Sequence, residues 1–80
     1  MSERLKFKGR LVEKEAEARK LKLRMEGDLR AIRNILDPFE LIEAIRPDLA
    51  AAQSVELAAK HAEYMGLLKE IQAIKKALGE

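Results

Sequence analysis

The sequence predicts an all-α fold, an antiparallel hairpin of two long, coiled-coil-like helices joined by a short corner helix and completing a helical bundle by self-association. Three observations predict it. Apolar residues recur at intervals of seven in two separate stretches, Leu11, Ala18, Met25 and Ile32 in the first and Leu57, Tyr64, Ile71 and Leu78 in the second. Charged residues make up 38% of the chain and aromatics 4%, the balance of long helices rather than of a sheet. Both prolines, Pro38 and Pro47, fall between the two patterns, where the chain must turn.

Residues 1–9 admit two readings. Leu5 and Phe7 alternate with Arg4, Lys6 and Lys8, which fits an extended or frayed arm. Ser2 equally suits the cap of a helix that continues into the next segment, at the cost of Gly9 in its interior. The first long helix is expected over 10–36. Leu21, Leu29, Ile35 and Leu36 fill the core positions between the sevens, and Lys, Arg and Glu occupy most of the remainder.

Asp37, Pro38 and Glu40 carry the signature of a helix start: a capping carboxylate, a proline where no amide donor is needed, and a glutamate able to reach back to the cap amide. A corner helix over 38–46 follows, with Phe39, Leu41, Ile42 and Ile45 as a face that plugs the end of the core or docks a partner. The second long helix is expected over 48–78, with Lys75 and Lys76 complementing its dipole and Gly79 at its end. A fold-back near 42 to 43 sets Gly27 opposite Ala58 and Ala59, and Gly66 opposite Ala18 and Arg19, so the expectation is close backbone approach at both glycines.

An 80-residue chain forms one domain with a small core. Without cysteine it has no disulfide or thiolate site to reinforce that core, leaving regular packing and association. Leu5, Val12, Ala16 and Leu23 lie beside the main stripe of the first helix, and Val55, Ala62, Met65, Leu67 and Ile74 widen that of the second, more than a two-helix seam uses. Leu11, Met25, Ile32, Phe39, Ile42, Leu57, Tyr64, Met65, Ile71 and Leu78 are therefore the candidate face for self-association or a partner. A homodimer is the simplest closed assembly.

Residues 1–36 hold eleven Lys and Arg against six Asp and Glu, a net of +5, and residues 37–80 hold five against eight, a net of −3. The two halves are thus expected to attract each other. Arg4, Lys6, Lys8 and Arg10 are the candidate phosphate contacts of an alternative, nucleic-acid-binding reading. It has no helix-turn-helix spacing and no pair of aromatic side chains for base stacking behind it.

Catalytic chemistry finds few suitable residues. Ser2 and Ser54 are the only serines and both suit capping or surface positions; the four glycines stand apart and form no phosphate loop. Glu13, Glu15 and Glu17, with Glu40 and Glu43, read as solvated helix faces, because a carboxylate metal site in a bundle pairs glutamates with Glu-x-x-His and the lone His61 has no glutamate three residues before it. His61 is expected at the interface, on the apolar side near Leu57 and Met65, and Tyr64 at the boundary with its hydroxyl reaching water. The expectation is a protein that is not an enzyme and uses no cofactor. No apolar run is long enough to span a membrane and no leader-like segment opens the chain, so a cytoplasmic protein is expected.

The run Gly27-Asp28-Leu29-Arg30-Ala31-Ile32-Arg33 through Asp37-Pro38-Phe39-Glu40, together with Ile71-Gln72-Ala73-Ile74-Lys75-Lys76-Ala77-Leu78-Gly79, resembles small uncharacterised helical proteins encoded by Mu-like prophages. That resemblance covers about the last two thirds of the chain and implies a small accessory protein of a bacterial cytoplasm. The partner it implies is a second copy, a phage or host protein, or DNA.

Overall fold

The computed structural model describes residues 2–80. Helix α1 runs from Glu3 to Ile35 and helix α2 from Pro47 to Ala77, and the two pack against each other as an antiparallel hairpin. Of the two readings of the N-terminus, the helical one holds. Ser2 adopts extended geometry and its hydroxyl accepts from the Arg4 amide at 3.1 Å, which satisfies one of the free donors of the first turn. With Glu3 also in that turn, the charged alternation of residues 4–10 wraps around a helix instead of lying along a strand.

α1 ends where Pro38 disfavours helical geometry at Asp37, and its last bond runs from the Leu36 amide to the Ile32 carbonyl at 2.9 Å. The corner departs from expectation. Residues 38–46 do not form a two-turn helix; only Ile42–Ala44 is helical, as a single 3-10 turn. Asp37 does cap, but it closes a local turn, its carboxylate accepting from the Phe39 amide at 2.9 Å. The Glu40 carboxylate takes the Leu41 amide at 3.0 Å and does not reach back to the cap. Eight residues held between two prolines leave too few consecutive amides to repay helix nucleation. Nor does the corner plug the core, since Phe39 is 94% exposed and Leu41 and Ile42 are exposed with it.

α2 starts without a side-chain cap at Arg46. A forked pair serves instead: the Arg46 guanidinium donates to both Asp48 oxygens, at 3.2 and 3.0 Å, and Asp48 sits in the first turn where the dipole favours negative charge. At the other end Gly79 adopts φ +79°, the Glu80 amide reaches the Lys75 carbonyl at 2.9 Å, and the Gly79 amide reaches that of Lys76 at 3.1 Å. This double bond pattern around a left-handed residue is the Schellman termination that Gly79 predicts.

The core is a seam. Leu11, Ala18 and Leu21 of α1 meet Leu67, Ile71, Ile74 and Leu78 towards the open end of the hairpin, flanked by half-buried Phe7, Tyr64 and Leu68. Met25 and Ala50 continue it towards the corner. With extents of 63 × 17 × 14 Å the molecule is one layer of two helices, and its radius of gyration of 18.1 Å compares with about 12 Å for a globular domain of this length.

Candidate functional site

Two elements of this geometry bear on function: what the seam consumes, and what it leaves outside. The seam contains one polar layer. Asp28 is buried among the core residues, and its carboxylate accepts from Lys60 at 2.7 Å and from Gln53 at 3.0 Å. Towards the open end Lys14 meets Glu70 at 3.1 Å, and the Arg4 guanidinium donates to the Leu78 carbonyl at 3.1 Å, which fastens the start of α1 to the end of α2. The hydrogen bond and charge of Glu70, with help from Glu17, push the Lys14 ammonium above the usual lysine range. The guanidinium of Arg46 likewise holds the Asp48 carboxyl below the usual carboxylate range.

These contacts place the fold-back where the sequence puts it, yet they contradict the expected glycine contacts. A Cβ added at Gly66 would meet nothing within 4 Å, and one at Gly27 would meet only the Arg30 side chain of its own helix. Both glycines fall on the outward side of their helices, a third of a turn or more from the seam.

Of the candidate interaction face, Leu11, Met25, Ile71 and Leu78 are spent inside the hairpin, Ile32, Leu57 and Tyr64 are half-buried at its margin, and Phe39, Ile42 and Met65 are exposed. His61 is exposed in the single chain, on the flank of α2 beside Ala58 and Met65 and not in the seam. Tyr64 sits at the core boundary as the heptad predicts.

The two flanks of the seam differ. On one, Arg10, Glu17 and Arg24 of α1 line shallow grooves together with Glu63, Glu70 and Ala77 of α2, so this flank is charged along most of its length. The opposite flank carries Leu29 and Leu36 beside the seam and Leu5 and Val12 further round on α1, with Ala58 and Met65 from α2. All of these but Ala58 are large and solvent-exposed, and Lys8, Glu15, Arg19, Lys22, Glu26 and Arg33 of α1 share the flank with them. Leu23 and Val55 are exposed on the outward backs of the helices. On the charged side α1 exposes no large apolar residue among those described, and α2 exposes Leu49.

The four cations proposed for nucleic acid do not share a face. At about 100° per residue, Arg4 and Lys8 lie on the apolar flank and Lys6 and Arg10 on the charged one. Arg4 is engaged by Leu78, and Arg10 lines a groove against α2. The expected attraction between helices is also weaker than the half-chain charges suggest. α1 carries the whole net of +5, but α2 has four cations and four anions, and the acidity of the second half resides in Asp37, Glu40, Glu43 and Glu80 outside it. Only two ion pairs join the helices among the described residues, Lys14 with Glu70 and Lys60 with Asp28. Comparison with models of known families, with curated proteins and with solved structures gives no match.

Ser2 is occupied as a cap and Ser54 is exposed in the second turn of α2. Among the described residues no three His, Asp or Glu are grouped to hold a metal ion, and no helix is long and apolar enough to cross a membrane. Sequence reasoning missed the Asp28, Gln53 and Lys60 layer. The signal was present: continuing the sevens puts all three at positions where the repeat calls for apolar side chains.

Proposed function

We propose that this chain is a non-catalytic assembly module that works by docking helices, first of all those of its own copies, onto the exposed apolar flank of the hairpin. The observation that supports this most directly is the one-sided distribution of Leu5, Val12, Leu29, Leu36 and Met65. Large apolar side chains gathered on one flank of α1 and left uncovered mark a surface that a partner can cover. A two-helix hairpin also buries only one stripe of each helix, and small domains without disulfides commonly complete their cores by association. The role of a small accessory protein in a phage-derived locus agrees with this reading and rests on the resemblance alone.

Light scattering coupled to size-exclusion chromatography tests the association. At tens of micromolar the chain is expected to run above the mass of one copy, and Val12→Glu combined with Met65→Glu to bring it back to monomer while circular dichroism stays helical. A monomer mass for the unaltered chain overturns the self-association.

Polyanion binding is the second reading, favoured by one observation: the net charge of +5 on α1, of which only Lys14 is paired across the hairpin among the described residues. Fluorescence anisotropy of labelled duplex DNA separates the two. Binding that falls steeply with salt and is lost when Lys6, Lys8 and Arg10 are neutralised supports nucleic acid; no binding at low salt leaves the assembly module.

A further inference from the structure

We infer that the occupant of the apolar flank is a second copy of this chain, related by a two-fold axis parallel to the helices, so that α1 of each hairpin lies against α2 of the other and the two corners sit side by side. The inference rests on the self-association proposed above and adds to it which helices meet and in which direction.

The area supports a second copy. The hairpin exposes 6302 Å², whereas a monomeric protein of its mass exposes about 4,900 Å². The surplus, about 1,400 Å² per chain, is what each subunit of a sizeable homodimer removes from water, since obligate homodimer interfaces run from about 2,000 Å² in total upwards. One partner of the same dimensions, laid flank to flank along the 63 Å length, meets that requirement and converts one helix layer into a four-helix bundle.

Charge chooses the direction. Two hairpins can face each other with corners at the same end or at opposite ends. Opposite ends stack α1 on α1 and α2 on α2, and would set one helix of net +5 against its own copy. Arg19, near the middle of α1, would then lie level with Arg19 of the partner subunit. Corners at the same end instead bring each α1 against the electrically neutral α2.

The corner agrees. Phe39, Leu41 and Ile42 are exposed in their own chain and follow Leu36 within a few residues. With the axis parallel to the helices, each corner finds its equivalent beside it, and Phe39 acquires an apolar neighbour across the two-fold. In the opposite arrangement it would lie over the partner's Ser2, Glu3 and Glu80 end, which is polar.

The chain has no cysteine, so a single one introduced at Glu40→Cys, exposed in the corner, takes a spin label cleanly. In the dimer, pulsed electron-electron resonance is expected to return a label distance set by one or two interhelical spacings, about 10–20 Å before label arms are added. A distance approaching the 63 Å length of the hairpin overturns the same-end arrangement while leaving self-association standing. Sedimentation equilibrium of the same sample reads the stoichiometry. One chain overturns both the arrangement and the proposed association, and more than two overturns the closed dimer. As a check on the face, Val12→Glu with Met65→Glu should abolish the short distance, and Lys20→Glu with Arg24→Glu on the charged flank should preserve it; the reverse result assigns the interface to the charged flank and overturns the inference.

Discussion

Asp28 is the residue on which the hairpin's register turns. An apolar heptad seam tolerates sliding by a whole repeat, but a buried carboxylate must find its donors, and only one alignment gives it both Lys60 and Gln53. The side chains of Asp28 and Lys60 are 12% and 29% exposed, so the pair is held in partial contact with water and its net worth is well below that of a fully buried one. Asp28→Ala is expected to cost about 1–2 kcal/mol in urea unfolding, because Lys60 can recover some hydration. Replacing both Asp28 and Lys60 with leucine should then be neutral or stabilising, at the expense of a unique alignment. A double variant less stable than Asp28→Ala alone would show that the layer stabilises the fold and does not merely select its register. This layer was legible in the sequence only as a break in the pattern. Periodicity marks where apolar residues sit, and says nothing of polar residues that satisfy one another across the seam.

At the scale of elements, the long helices were legible and the corner was not, for a physical reason. Some thirty residues of heptad pattern overdetermine a helix, and local chemistry fixes its ends: Ser2 at the start, Pro38 after the first, Gly79 after the second. The corner has the same kind of start signal in Asp37 and Pro38, but a cap stabilises a helix that packing already favours, and Phe39, Leu41 and Ile42 stay largely exposed. The glycines divide by the same logic of context. Gly66 lies on an open, outward helical face and should be improved by alanine, Gly66→Ala raising stability by about 0.5–1 kcal/mol. Gly79 has φ +79°, so Gly79→Ala should lower it by about 1 kcal/mol through strain in the Schellman turn. Thermal unfolding of the two variants checks both signs; a loss at Gly66 would mean that another chain approaches that face.

The whole molecule is too long for its mass to be explained by its own core. Among the described residues no side chain of appreciable size is fully buried, and the nine buried apolar residues belong to a seam two helices wide. The candidate face shows why sequence alone could not divide inner from outer. Leu11, Met25, Ile71 and Leu78 follow the same apolar sevens as Ile32, Leu57 and Tyr64, and only the observed packing separates the four spent in the seam from the three half-buried at its margin, with Met65 exposed beside them. If the surface set is completed by a second copy, folding and association are one reaction, and stability must depend on concentration. Each tenfold dilution then withdraws about 1.4 kcal/mol from the assembled state. The thermal midpoint of the unaltered chain should accordingly fall on dilution from tens of micromolar to tenths, and that of Val12→Glu with Met65→Glu should start lower and stay flat. A midpoint of the unaltered chain that ignores concentration over that range would mean that the seam, the Asp28 layer and the caps hold the hairpin unaided. The exposed flank would then serve a partner other than itself, or none, and the charged surface of α1 would become the first place to look for function.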